Sequence, residues 1–330
     1  MNGRSNLDAS FDRKEQRQPL PVIAGPTASG KTGLAIYLAQ QLNGEVISAD
    51  SMQVYRDLRI GTARPSEAEM QGVPHHLMGM ISLTEEYHVA RYTEQAHTAI
   101  REVAERGRLP LLCGGTGLYI RSVVDNLTYT DEPSSSTCRA QLRQRYDREG
   151  GEALLAELTK IDPETAARLH PHDAGRIIRA WELYLTTGVT MSEQRRLSRA
   201  NPSPYDPYLL VLDCRDRQVL YDRINQRVDE MLAAGLLEEA RFLLTTPHAK
   251  TAIQAIGYKE WIPYFDGSLT LSETVENIKR ETRRYAKRQL SWFRGMEKVH
   301  PLYIDDYQNR AALYEAALHQ IQAYYKEDHR

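Results

Sequence analysis

The octapeptide GPTASGKT fits the phosphate-loop pattern G-x-x-x-x-G-K-[ST] at every fixed position. Its members are Gly25, Pro26, Thr27, Ala28, Ser29, Gly30, Lys31 and Thr32. The glycines let the backbone turn successive N–H groups toward an anion. The start of the next helix adds partial positive charge, and Lys31 adds a full one. Thr32 offers its hydroxyl to a Mg²⁺ ion. LPVIA precedes the loop and TGLAIYLAQQL follows it, the strand and helix such a loop needs. The expected ligand is a polyphosphate, either donating a phosphoryl group or departing as a leaving group.

Asp50 follows the apolar run EVISA. At the carboxyl edge of a second strand it can take a proton from a bound nucleophile, hold a metal-bound water, or cap a helix. Thr116 occurs in GGTGLYI, after a further strand, LPLLC. LLVLD ends at Asp213 and has the form of the strand and carboxylate that hold Mg²⁺ in NTP hydrolases. Cys214-Arg215 comes next rather than an acid that would position water, which favours a core strand whose Asp caps the following helix.

Arg223 and Arg227 share a helical face at i, i+4, and can reach the phosphate crevice or lie in solvent. Arg176 and Arg179 are a turn apart, beside Ile177, Ile178 and Trp181, which are available for burial. The densest basic stretch is IKRETRRYAKRQLSWFR, whose cations fall three and four apart. It suits either a phosphate backbone or water. His75-His76 and His170-Pro171-His172 lack further ligands at metal spacing and read as turns or caps.

Strands alternating with helices imply an α/β fold with a parallel sheet, whose ligands gather at the carboxyl ends of the strands. Gly30, Asp50 and Thr116 should therefore meet in one crevice. From about Asp131 to Pro204 the pattern turns helical without a convincing strand, and the sheet resumes at YLLVLDC. The expected organisation is a flexible tail over 1–19, a phosphate-loop core over 20–130 and 205–330, and a helical insertion over 131–204. The rest of the chain from Arg217 reads as helices, with a turn at Pro263 to Gly267.

With 330 residues, 41% hydrophobic and 26% charged, the chain has the composition of a globular protein. Its 42 basic and 44 acidic residues give no global attraction to nucleic acid, so an RNA site must be built by local clustering. Cys113, Cys138 and Cys214 form no C-x-x-C pair, and no apolar stretch is long enough to cross a membrane. A cytoplasmic monomer is expected.

In order along the chain, GPTASGKT, DSMQVY, IGTARP, PHHL, GGTGLY, HPHDAGRIIRAWELY, QAIGYKE and TRRYAKRQLSWFR closely resemble the bacterial tRNA dimethylallyltransferase family from Leu20 to His300. The resemblance implies a phosphate-loop α/β fold. It also implies transfer of a dimethylallyl group from dimethylallyl diphosphate to N6 of adenosine 37, beside the tRNA anticodon, with Mg²⁺ as cofactor. It gives catalytic roles to Lys31, Asp50, Thr116 and Arg223 and places Thr27 against the donor. Contacts to the anticodon stem-loop are implied for Asp50, Ser51, Met52, Gln53, Thr116, Arg139, Arg176 and Arg179. Further ones are implied for Gln254, Gly257 and Tyr258 in QAIGY, and for Thr282, Arg283, Arg284, Lys287, Arg288 and Gln289. The insertion would clamp the stem. Three rivals stay open: an isopentenyltransferase acting on free AMP or ADP, a phosphate-loop kinase or ATPase, and a non-catalytic RNA-binding module.

Overall fold

A computed structural model describes residues 17–129 and 136–327. Most of the expected tail and the junction at 130/131 lie outside the described residues. Strand β1 (Gln18–Ala24) leads into α1 (Lys31–Gln41), β2 (Gly44–Ser48), α2 (Glu67–Met70) and β3 (His75–His76). Next come α3 (Val89–Glu105), β4 (Leu109–Gly114) and α4 (Gly117–Val124). Four helices follow: α5 (Ser136–Ile161), α6 (Pro163–Ala166), α7 (Ala174–Thr187) and α8 (Met191–Leu197). The chain ends with β5 (Tyr205–Asp213), α9 (Arg217–Ala233), α10 (Leu236–Thr245), α11 (Ile262–Phe265), α12 (Leu271–Arg294), β6 (Val299–Tyr303) and α13 (Arg310–Glu327).

The strands form one parallel sheet in the order β3-β2-β4-β1-β5-β6. A parallel sheet must be covered on both faces, and the alternation within strands shows how this is met. In β1, Leu20, Val22 and Ala24 enter one core and Ile23 the other. In β5, Leu209 and Val211 oppose Leu210 and Leu212 in the same way. One core gathers Tyr92, Ile100, Ile120, Trp261 and Phe293, and the second gathers Leu34, Leu38, Ile224, Leu313 and Ile321.

The helices from α5 to α8 carry a separate core in which Leu154, Leu158, Ile177, Ile178 and Trp181 meet. Helix α5 is interrupted at Gly150, where φ is +83°. Trp181 donates its Nε1–H to the Leu154 carbonyl at 3.2 Å.

Several sequence expectations need correction. Gln18 and Pro19, assigned to the tail, are in β1. Pairing of β1 with β4 begins at Val22, so the two prolines precede the stretch bonded on both sides. His75-His76 forms a short edge strand rather than a turn. Strand β6 lies in a stretch whose sequence reads as helical; five residues with a proline in the middle, VHPLY, give little alternation to detect. Pro263 lies at the start of α11, where its missing N–H costs nothing.

Candidate active site

The phosphate loop joins β1 to α1, and Thr27, Ala28, Gly30, Lys31 and Thr32 line a cleft of about 2120 Å³. Lys31 donates to the Pro26 carbonyl at 3.2 Å. Burial, and then the cation of Arg227, pull its amine below the ordinary value, while Asp50 acts in the opposite direction. Arg223 also reaches the loop: its Nη2 lies 3.2 Å from where a side chain on Gly30 would begin. Among the described residues, none of Lys31, Arg223 and Arg227 has a carboxylate within ion-pair distance. Three cations held together without acid partners repel one another, and an anionic ligand removes that cost.

Asp50 stands two residues beyond β2. Its Oδ1 accepts from the amides of Met52 at 2.9 Å and Gln53 at 3.3 Å. Its Oδ2 has no hydrogen-bond partner among the described residues and is the oxygen left for chemistry. Thr116 holds the next residue, accepting from Ser51 N at 3.1 Å. The ends of β2 and β4 approach so closely that a Cβ on Gly114 would lie 2.1 Å from the Ala49 carbonyl oxygen. Gly30 and Asp50 thus line one cleft as expected, whereas Thr116 supports it through Ser51.

Tyr285 of α12 lines the same cleft. Burial, and then the charge of Asp50, push its hydroxyl up to about 12, so it stays protonated. Beneath it Gln289 is 6% exposed and bonds with both ends of its amide. Oε1 accepts from Thr27 N at 3.0 Å, and Nε2 donates to the Gly115 carbonyl at 2.8 Å.

The model of the IPP transferase family matches residues 53–296. The tRNA dimethylallyltransferase of Thermoanaerobacter sp. (strain X514) is 46% identical over 292 residues, 87% of this chain and 92% of that relative. The chain belongs to this family of IPP transferases. The crystal structure of the tRNA isopentenylpyrophosphate transferase from Bacillus halodurans agrees with a TM-score of 0.70 at 41% identity, covering 95% of this chain and 100% of that one. A eukaryotic dimethylallyltransferase acting on tRNA gives a TM-score of 0.75 at 31% identity, covering 91% and 77%.

Within this transferase, the residues expected at RNA divide into two groups. Met52, Ser51, Gln254, Gly257, Thr282 and Arg288 line the large cleft. Arg176, Arg284, Lys287 and Arg288 line a second, smaller one between α7 and α12. Others are committed to the protein. Gln53 is buried, bonding Ser48 Oγ at 3.2 Å and the carbonyls of Thr62 and Ala63 at 3.2 and 3.3 Å. Tyr258 is fully buried and donates to Glu239 at 2.7 Å. Arg283 donates to Asn225 Oδ1 at 2.5 Å. Arg139 and Arg179 both pair with the buried Glu182, at 2.7 and 3.2 Å. Gln53 and Gln289 also line the large cleft, so these hydrogen bonds fix side chains at its wall, whereas Tyr258 is not among its lining residues.

Asp213 is likewise spent. Its carboxylate bonds Cys214 N at 2.7 Å, Arg217 at 3.0 Å and Arg294 at 3.1 Å, and the cap of α9 is Asp216. The expectation that Asp213 caps that helix is therefore wrong.

Sequence reasoning missed Glu239, which accepts from the amides of Arg59, Ile60 and Gly61 at 2.8, 2.9 and 2.9 Å. It thereby fixes the IGTARP loop at the rim of the cleft. It also missed Arg310 and Tyr314 of α13, which line the cleft beside Arg223 and follow the last residue of the motifs. An acid followed by helix carries no signal of the distant amides it will meet.

Residues present fit a substrate-held Mg²⁺. The Thr32 hydroxyl has no hydrogen-bond partner among the described residues, and they contain no cluster of three acid, His or Cys ligands. Mg²⁺ suits such a site, because it takes few protein ligands and fills its shell with phosphate oxygens and water. The buried Ser29 Oγ also lacks a partner, a second polar group in the loop left for a ligand.

Proposed function

We propose that this transferase moves the dimethylallyl group of dimethylallyl diphosphate to N6 of adenosine 37 in tRNA. The observation that carries the reading is the cleft's polarity: a phosphate loop with unpaired cations at one end and the open Oδ2 of Asp50 nearby. Lys31, Arg223, Arg227 and the loop amides bind the diphosphate. As the C1–O bond breaks, its electron pair leaves with the diphosphate, where these groups stabilise the growing charge. Bound Mg²⁺, held by the Thr32 hydroxyl and diphosphate oxygens, would supply additional charge neutralisation.

The N6 lone pair of adenine is conjugated into the ring, which makes it a weak nucleophile. A new N6–C1 bond forms while the N6 proton passes to Asp50 Oδ2, so the amine recovers neutrality as the allyl group arrives. Met52 and Gln53 hold Oδ1 and thereby aim the second oxygen. The extruded base leaves its stack to enter the cleft, and the cations of α12 meet the backbone of the anticodon stem-loop.

Incubation with Mg²⁺, labelled dimethylallyl diphosphate and a stem-loop carrying adenosines at 36 to 38 tests the reading. AMP and a guanosine-37 loop serve as parallel acceptors. Label on the adenosine loop alone is expected. Label on AMP overturns the RNA assignment, and phosphate release from ATP without prenylation returns the kinase reading.

A further inference from the structure

Three tryptophans occupy contrasting places. Trp261 is fully buried and Trp181 is 6% exposed, each inside a core, whereas Trp292 is 37% exposed. Trp292 lines the smaller cleft, of about 620 Å³, with Arg176, Arg284, Lys287, Arg288 and Ser291. Arg284, Arg288 and Trp292 stand at i, i+4 and i+8 on α12, so two guanidinium groups and an indole form one line along the helix. Among the described residues, no carboxylate lines this cleft. Arg284 pairs with Glu281 at 2.6 Å, while Arg176 and Lys287 have no acid partner among the described residues.

The indole is held rather than loose. A Cβ on Gly117 would lie 2.1 Å from Trp292 Cδ1 and 2.5 Å from Nε1, so only glycine at the start of α4 allows this approach. Gly117 adjoins Thr116, and Arg288 lines both clefts. The ring therefore stands one turn of α12 from Arg288, the residue that the two clefts share.

An aromatic ring set among four cations does not match a greasy protein partner. It matches a flat base on an anionic backbone, where stacking and cationic contacts act together. We propose that Trp292 is the stacking platform for an unpaired base adjoining the extruded adenosine, with Arg288 at the phosphate between them. This inference rests on the tRNA reading above and names the residue that holds the neighbouring nucleotide.

Intrinsic fluorescence tests it without reference to turnover. Titration of the full chain with the anticodon stem-loop should quench exposed tryptophan emission and shield it from iodide. The change should disappear in Trp292→Phe, which keeps a ring and most of the affinity. Trp292→Leu should weaken binding about tenfold while leaving the slope of log K against log salt unchanged, because stacking releases no counterions. An abasic nucleotide next to adenosine 37 should weaken wild-type binding and leave that of Trp292→Leu nearly unaltered.

Stem-loop prenylation with no change in Trp292 emission overturns the platform alone. So does wild-type affinity in Trp292→Leu. Failure of the wild-type chain both to bind and to prenylate the stem-loop overturns the platform together with the reading beneath it.

Discussion

Gln289 and Gly115 are joined by a 2.8 Å hydrogen bond from the side-chain amide to the carbonyl oxygen. Since the same side chain accepts from Thr27 N, one residue of α12 sets the spacing between the phosphate loop and the turn that carries Thr116. The phosphate loop and the turn after β4 are thus tied to the helix that carries the densest basic stretch.

Replacing Gln289 with Leu leaves a loop N–H and a carbonyl without their partner, at a cost of about 1–3 kcal/mol for each buried group left unsatisfied. The expected result is a fall in Tm of several degrees and a rise in donor KM of roughly tenfold. Gln289→Glu keeps the acceptor for Thr27 and should recover part of the donor affinity. Equal kinetics in wild type and Gln289→Leu would remove the bridge from the account.

Asp50→Asn isolates proton transfer. Asparagine still offers an oxygen to Met52 and Gln53, so the turn and donor binding should persist while turnover falls about 10²- to 10⁴-fold. Single-turnover prenylation alongside calorimetric donor binding separates the two. A matching loss of donor affinity would make Asp50 a ligand of the metal instead.

Lys31 makes the donor-free protein pH-sensitive. Its folded amine titrates below the ordinary value of 10.5, so between those two values the unfolded chain binds more protons and stability rises with pH. Below that window the penalty is present in full. Lys31→Met should raise the Tm of the donor-free protein yet abolish the stabilisation that dimethylallyl diphosphate confers on wild type. Thermal melts across pH 7 to 10, with and without donor, check both signs. A donor-free variant less stable than wild type at neutral pH would contradict the electrostatic account.

The basic face of α12 should separate under salt. Lys287 is exposed and lacks an acid partner among the described residues, so Lys287→Ala should lower the slope of log K for RNA against log salt by roughly one. Arg283 is tied to Asn225, and Arg283→Ala should instead lower Tm with little change in that slope. The reverse pattern would move Arg283 to the RNA surface.

Much of the core architecture could be read from the chain because its signals are local. GPTASGKT stands between an apolar strand and a helix, and Asp50 follows a strand-like run, so the meeting of Gly30 and Asp50 in one cleft follows from the rule for parallel sheets, while Thr116 stands behind Ser51. What escaped depends on contacts between distant residues. Gln53, Tyr258 and Gln289 belong to motifs that suggest RNA contact, and nothing in those motifs signals the hydrogen bonds that also hold them to Thr62, Glu239 and Gly115. Likewise, Glu239 meets the Arg59–Gly61 amides only after α10 has packed. Periodicity also left undecided which cations of α12 face α9, as Arg283 and Lys279 do, and which face the cleft.

The register between β1 and β5, where Gln18 opposes Tyr205, has a kinetic consequence. On a growing chain the phosphate loop emerges early, but one neighbour of its strand is made only after the whole insertion. With its own apolar centre around Trp181, the insertion can collapse inside this long loop and shorten the search that brings β5 to β1. In refolding of variants retaining one tryptophan, Trp181 should reach native emission before Trp261, whose core contains Leu209 of β5. The opposite order would mean that the sheet closes first. Insertion-first folding would make this helical unit an internal nucleus for the transferase that surrounds it, so changes that loosen its centre would slow maturation before they altered turnover.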